Sequence, residues 1–267
     1  MTATQTSAGP MIREWRLRRR MSQLDLALEA EISQRHLSFV ESGRARPSRE
    51  MVLRLAEHME VPLRQRNHLL IAAGFAPSYG ERDLGDPRLK PALAAVELVL
   101  KGHEPYPAIA VDRGWNMVLA NAAIAPFLDG IAEAALLRPP VNVLRLALHP
   151  GGLAPRIVNL DEWRAHLIGR LRHQIDATAS PELQALEREL SSYPGRPVPA
   201  GRSHDPASEI AVPMRVDMDG TVLSFITTVT VFGTPLDVTL SELAIESFFP
   251  ADAETGDFLR RLAEGRR

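Results

Sequence analysis

Cysteine is absent from the 267 residues, which removes both a disulfide framework and a thiolate metal site. No apolar run reaches the length of a membrane span, and the opening MTATQTSAGP lacks the hydrophobic stretch of a signal peptide. A cytoplasmic protein with no membrane partner is therefore expected. Internal repeats are missing. So are a G-x-S-x-G elbow, a phosphate-cradling glycine loop and a Ser/Lys pair in a self-cleavage setting. His149, His166, His173 and His204 are scattered, outside any H-x-H or H-E-x-x-H pattern that would place two imidazoles on one metal. His166 and His173, seven apart, could share a helix face, but such a pair without carboxylate ligands is ordinarily a solvated face. These absences argue against an enzyme and imply neither a cofactor nor a metal.

What remains is a globular composition, 45% hydrophobic, long enough for one large domain or two ordinary ones. The net charge of −2 is unevenly divided: residues 1–70 carry 12 Arg against 8 Asp and Glu, so the remainder is acidic. A basic amino-terminal part on an acidic remainder suggests that only the first part faces a polyanion.

Helix signals crowd that first part. A helical segment runs from Met11 to Arg20, and Ser22 caps the next, with Asp25 completing a capping box. Leu24, Leu26, Ala27 and Ala30 are its expected buried side. Ser33 caps a third helix with Leu37 and Val40 inward, and Gly43 ends it as a left-handed cap. Ser48 starts a fourth (Met51, Val52, Leu55, Ala56 inward), and Pro62 opens a fifth that stops at Gly74. Two helices joined by a short turn within a five-helix unit make a helix-turn-helix, whose second helix fits the major groove. Its outer side offers Ser33, Gln34, Arg35, His36 and Ser38, all able to hydrogen-bond base edges or phosphates. A helical protein-interaction module with a polar surface is the alternative.

The stretch SQLDLALEAEISQRHLSFVESGRARPS, residues 22–48, resembles the phage-repressor-like XRE helix-turn-helix family. The resemblance covers residues 11–74. It implies that Gln23 meets a phosphate or base, that Gln34, Arg35 and Phe39 project from the recognition helix, and that Arg44 and Arg46 meet the DNA backbone. It also places Arg16 and Glu41 as a structural ion pair. One departure stands out: Glu31 occupies the turn position where the family usually has Gly, which predicts a looser or differently shaped turn.

Residues 76–91 read as a Pro/Gly-rich, charged linker between a domain at 1–75 and another at 92–267. A helix over 91–101 precedes two short strands about the turn Asp112–Gly114. A helix opening with an Asn159…Glu162 capping box follows, then another over 181–192, and a loop, YPGRPVPAGRSHDP, that reads as mobile. Three strands close the chain, with Ile210, Val212, Met214 and Val216 alternating and Asp219-Gly220 as a hairpin turn. The plan is α+β with one antiparallel sheet, the order of a PAS-like fold. These segments resemble the MmyB-like ligand-binding domain over residues 92–262, which implies a pocket for small apolar or acyl molecules, fatty acids included.

A pocket needs an apolar lining and a few orienting polar groups. Trp115, Phe127, Trp163, Leu167 and Phe225 are candidates for the lining; Asn121, Asn142, Arg145 and Arg170 are candidates for the polar ends. The plain alternatives are core aromatics and surface salt bridges. A cavity of roughly a few hundred Å3 would favour a sensor, and a solid core would favour a domain that only dimerises, as in an antitoxin-like partner. The expected protein is a transcriptional regulator that binds an operator in double-stranded DNA as a homodimer and responds to a small molecule.

Overall fold

The computed structural model describes residues 7–195, 212–232 and 237–265, which form two compact units, the first extending to Arg82. The first is five helices: α1 (Ala8–Arg18), α2 (Gln23–Glu29), α3 (Gln34–Glu41), α4 (Arg49–His58) and α5 (Leu63–Ala72). Ser22 Oγ accepts the Asp25 N–H at 3.1 Å while the Asp25 carboxylate accepts the Ser22 N–H at 2.8 Å, the expected capping box. Ser33 and Ser48 cap α3 and α4 in the same way. Helix α1 starts before the expected Met11, because Pro10 sits in the first turn, where its missing N–H costs nothing. A Cβ on Gly9 would lie 2.3 Å from the Val40 carbonyl oxygen, so this turn packs on α3 at a distance only glycine permits.

Ile12, Leu26, Ala27, Leu37, Val40, Leu55 and Leu70 fill the core between the helices. Leu24 does not join them: it is 51% exposed. It precedes Leu26 by two positions, about 200° round a helix, so the two cannot share an inward face. Inside the core lies one ion pair. Arg16 donates from Nε and a terminal nitrogen to the two Glu41 oxygens, at 2.6 and 2.8 Å, and from the other nitrogen to the Met21 carbonyl at 2.9 Å. Its guanidinium pKa is raised, first by that hydrogen bond to Glu41 and against the opposing effect of burial.

Glu31 sits at φ +54°, left-handed, with its N–H on the Leu28 carbonyl and the Ile32 N–H on the Ala27 carbonyl. The turn is a regular Schellman closure despite lacking glycine, correcting the expectation of a different shape. Gly43 ends α3 with the same pair of bonds at φ +75°. The segment after α5 is held to it: Asn67 Oδ1 accepts the Ser78 and Tyr79 N–H groups and its amide donates to the Tyr79 carbonyl.

The second unit opens with α6 (Lys90–Gly102) and the hairpin β1 (Ala108–Val111) and β2 (Met117–Ala120). The helical middle is α7 (Ala125–Leu128), α8 (Val143–Leu148), α9 (Leu160–Thr178) and α10 (Pro181–Ser192). Then come β3 (Met214–Met218), β4 (Thr221–Val231), the one-turn α11 (Val238–Ser241), β5 (Ala244–Pro250) and α12 (Ala253–Glu264). The five strands form one antiparallel sheet in the order β2-β1-β5-β4-β3. Asp219 and Gly220, at φ +53° and +86°, make the primed turn that matches strand twist. Ile210, His204 and most of the loop from Tyr193 to Pro206 lie outside the described residues.

At β1 both sheet faces are covered, which is why this strand reads as an unbroken apolar run, while much of β4 stays exposed. Val96 and Leu100 of α6 cover Ala108, Ala110 and Ile245, while Met214, Val216, Leu223 and Phe225 belong to the larger cluster with α8, α9 and α10. The Asn159 capping box is absent. Its Oδ1 accepts the Arg215 N–H and its amide donates to Pro213 O and the Glu162 carboxylate, so the side chain joins α9 to β3 instead of capping. Arg164 closes α10 from outside, its terminal nitrogens donating to the carbonyls of Leu190, Ser191, Tyr193 and Pro194.

Two stability measurements follow from the first unit. Glu31→Gly relieves a left-handed backbone and should raise stability by roughly 0.5–1 kcal/mol in urea unfolding, whereas no gain would mean the turn is not strained. Glu41→Ala leaves the Arg16 charge buried and alone, and should cost about 3 kcal/mol or more, far above an exposed pair.

Candidate functional site

The outer side of α3 is the first candidate. Gln34 and Arg35 are exposed, and His36, Ser38 and Phe39 are partly buried. Two guanidinium groups lie over the Phe39 ring, Arg35 at 5.4 Å and Arg44 at 5.9 Å from its centroid. Cation–π attraction thus holds both arginines over one ring, with Arg46 exposed nearby in sequence. Ser33 uses its oxygen to accept the His36 N–H, leaving its hydroxyl proton to donate. Gln23 is less free than expected: its amide donates to Glu41 Oε2 at 2.8 Å, which leaves one N–H and the carbonyl oxygen for another partner. The arrangement offers donors, a planar cation and an apolar ring on one convex helix, which suits base edges and phosphates.

The second candidate is a cavity of about 90 Å3 inside the second unit, between the sheet and α7, α8 and α9. Four of the expected lining residues meet there: Phe127, Trp163, Leu167 and Phe225. Phe127 stands edge-on to Phe225, centroids 5.7 Å apart. Met214, Val216, Phe248 and Glu246 complete much of the wall and were not singled out from the sequence. Glu246 and Phe248, two apart on β5, share a face; a carboxylate at an inward strand position is the signal that marks them. The volume is smaller than the roughly 300 Å3 at which pockets for drug-sized ligands begin, so the cavity fits a slender occupant. The Trp163 indole N–H is buried and has no hydrogen-bond partner among the described residues.

The other five candidates line no part of this cavity. Asn121 spends its amide on the fold, accepting the Ala108 N–H and donating to the Leu100 and Tyr106 carbonyls. Asn142 caps α8 through the Arg145 N–H and donates to the Gly114 carbonyl. Arg145 forms a two-bond pair with Glu189, both at 2.7 Å. Trp115 donates its indole N–H to Gln174 and carries the Arg170 guanidinium on its face at 4.9 Å. Arg170 in turn donates to Glu246 Oε1 at 2.6 Å, so its charge is met within the protein. An Arg with a carboxylate in reach satisfies its fork there first, which sequence spacing cannot foresee. His166 stacks on Trp163, centroids 5.1 Å apart, and His173 is exposed.

Arg145 holds the Glu189 carboxyl below its ordinary range, chiefly by hydrogen bonding. Tyr193, which donates to Glu189 Oε1 at 2.8 Å, is pushed from 10.0 up to about 12, by burial first and then by that carboxylate. A raised folded pKa means stabilisation present in full below pH 10 and lost as pH rises towards 12. Phenolate absorbance should therefore show one tyrosine ionising late, and Tyr193→Phe should delete that component and flatten the alkaline loss of stability in this range.

Two family matches place the chain. Residues 12–65 match a helix-turn-helix family, and residues 92–262 match the MmyB-like transcription regulator ligand binding domain. Comparison with curated proteins returns no match. More than half of the sequence lies within the second match, around the cavity and the sheet that forms it. The chain belongs to the MmyB-like transcription regulator family, as a DNA-binding helix-turn-helix regulator that carries an MmyB-like ligand-binding domain.

Proposed function

We propose that this regulator is sequence-specific, that it binds a two-fold-related operator as a homodimer, and that its PAS-like second domain senses a small apolar or acyl molecule, a class that includes fatty acids. The observation that carries the DNA reading is the Phe39 clamp, which presents Arg35 and Arg44 together on the exposed side of α3. Gln34 and Arg35 read bases; Ser33, Arg44 and Arg46 meet backbone; Phe39 offers its edge to a thymine methyl. One recognition helix covers too few base pairs to select a site, so two act about 34 Å apart. The match to a ligand-binding domain supports a sensing role for the second domain over one that only dimerises; the apolar cavity is in keeping with it, although its 90 Å3 is below the few hundred expected of a sensor. Residues 1–75 and 92–267 are the functional domains in this reading, joined by the linker at 76–91.

An operator selected from random duplexes tests it. Gln34→Ala or Arg35→Ala should cost roughly 1–3 kcal/mol on that operator and relax its base preference. Arg46→Ala should weaken all sequences alike and reduce the salt slope by about one. Unchanged operator affinity in all three variants would remove α3 as the reader.

A further inference from the structure

Helix α6 is apolar on two opposite sides. Val96 and Leu100 point inward and cover the sheet, which is the burial an amphipathic helix needs. The other side of such a helix is ordinarily charged, yet here it carries Ala94, Ala95, Leu98, Val99 and Gly102, all exposed. Leu98 stands at the centre of that side, about 200° round the helix from Val96. It is 72% exposed, and Val99 is 49% exposed. At the carboxy-terminal end of α6 the His103 ring stands edge-on to Phe249, centroids 4.6 Å apart. Phe249 and Ile226, opposite one another in the register of β5 and β4, are exposed as well. An apolar surface that runs the length of a helix and on to a sheet marks an interaction site, unlike single apolar residues scattered over a surface.

Charge identifies the occupant. Along one margin of this face stand Glu97 and Lys101, one turn apart and both exposed. Two parallel copies of α6 would set Glu97 on Glu97 and Lys101 on Lys101, and like charges repel. Antiparallel copies, related by a two-fold axis level with residue 99, set Glu97 on Lys101 twice along the same margin. That register also brings the two Leu98 side chains together near the axis. Ala95 of each copy then comes level with Gly102 of the other, and small residues there allow close helix approach. The face is thus complementary to itself, as an isologous contact requires. Resting on the homodimer reading above, we infer that the outward face of α6 is the centre of the homodimer contact, packed antiparallel on α6 of a second copy about Leu98. A stable interface buries about 800 Å2 per partner. The face of this 13-residue helix measures only roughly 20 Å by 10 Å, so the surface at Phe249 and Ile226 extends the contact.

Light scattering of the full chain, alone and on the selected operator, tests this together with cross-linking. The wild-type chain should be a dimer. Leu98→Glu, which sets two carboxylates beside the axis, should weaken that dimer at least about a hundredfold, with an unchanged circular dichroism spectrum because Leu98 is exposed. Glu97→Lys alone and Lys101→Glu alone should each weaken self-association about tenfold, and mixing the two variants should restore dimers as heterodimers. Single cysteines read the direction, in a chain that has none of its own. Leu98→Cys should form a disulfide-linked dimer on oxidation. Ala94→Cys should not, because its counterpart lies about 15 Å away along the helix axis, beyond disulfide reach. Ala94→Cys cross-linking as readily as Leu98→Cys would overturn the antiparallel register. A dimer that survives Leu98→Glu overturns the inference while the homodimer reading stands, as does a dimer that Leu98→Cys fails to cross-link. Monomers throughout, both free and on operator, remove the homodimer reading and this inference with it.

Discussion

The buried pair of Arg16 and Glu41 is the constraint around which the first unit is built. It crosses from the first helix to the end of the third, with both side chains below a tenth exposed. Two desolvated charges are stable there because each guanidinium nitrogen has a partner: the Arg16 fork spans both carboxylate oxygens and its remaining nitrogen reaches the Met21 carbonyl. The same carboxylate then accepts the Gln23 amide. One charge thus fixes the start of α2, the end of α3 and the angle between them. Hydrophobic contact alone tolerates small slides of helix on helix; a two-bond fork does not.

The second unit uses its charges differently, at edges and closures. Arg164 meets the orphan carbonyls at the end of α10, and Arg145 with Glu189 and Tyr193 ties α8 to that same helix. Arg170, laid on Trp115 and bonded to Glu246, joins α9 to β5 beside the cavity. With these polar groups committed to structure, the interior near Phe225 stays apolar.

Much of the first unit was legible in sequence because its signals are local. Ser22, Ser33 and Ser48 announce helix starts within three residues, and Gly43 and Gly74 announce ends. The Asp219-Gly220 turn was readable for the same reason. Legibility fell wherever a side chain had a choice of partners distant in sequence. Asn159 satisfies every local rule for a capping box, yet the backbone of β3, more than fifty residues on, takes its amide. Arg145 and Arg170 look like free cations until Glu189 and Glu246 arrive from other elements. Four apolar residues of the cavity, Phe127, Trp163, Leu167 and Phe225, were found by type; Trp115 and the four polar candidates were not in it, because their partners are set by the fold. Helix α12 goes unread although Asp252, which caps it by accepting the Thr255 N–H at 2.7 Å, carries an ordinary start signal.

The stacking of Arg35 and Arg44 on Phe39 bears on the entropy of association. A free arginine side chain has about 2 kcal/mol of rotameric freedom to lose when it docks. Two that already rest on a ring forfeit part of it on folding, before any nucleic acid is met. The surface that approaches DNA is then partly preassembled, and less of the interaction is consumed by ordering it. Lysine at either position would keep the charge but not the forked set of donors that arginine holds beside the ring.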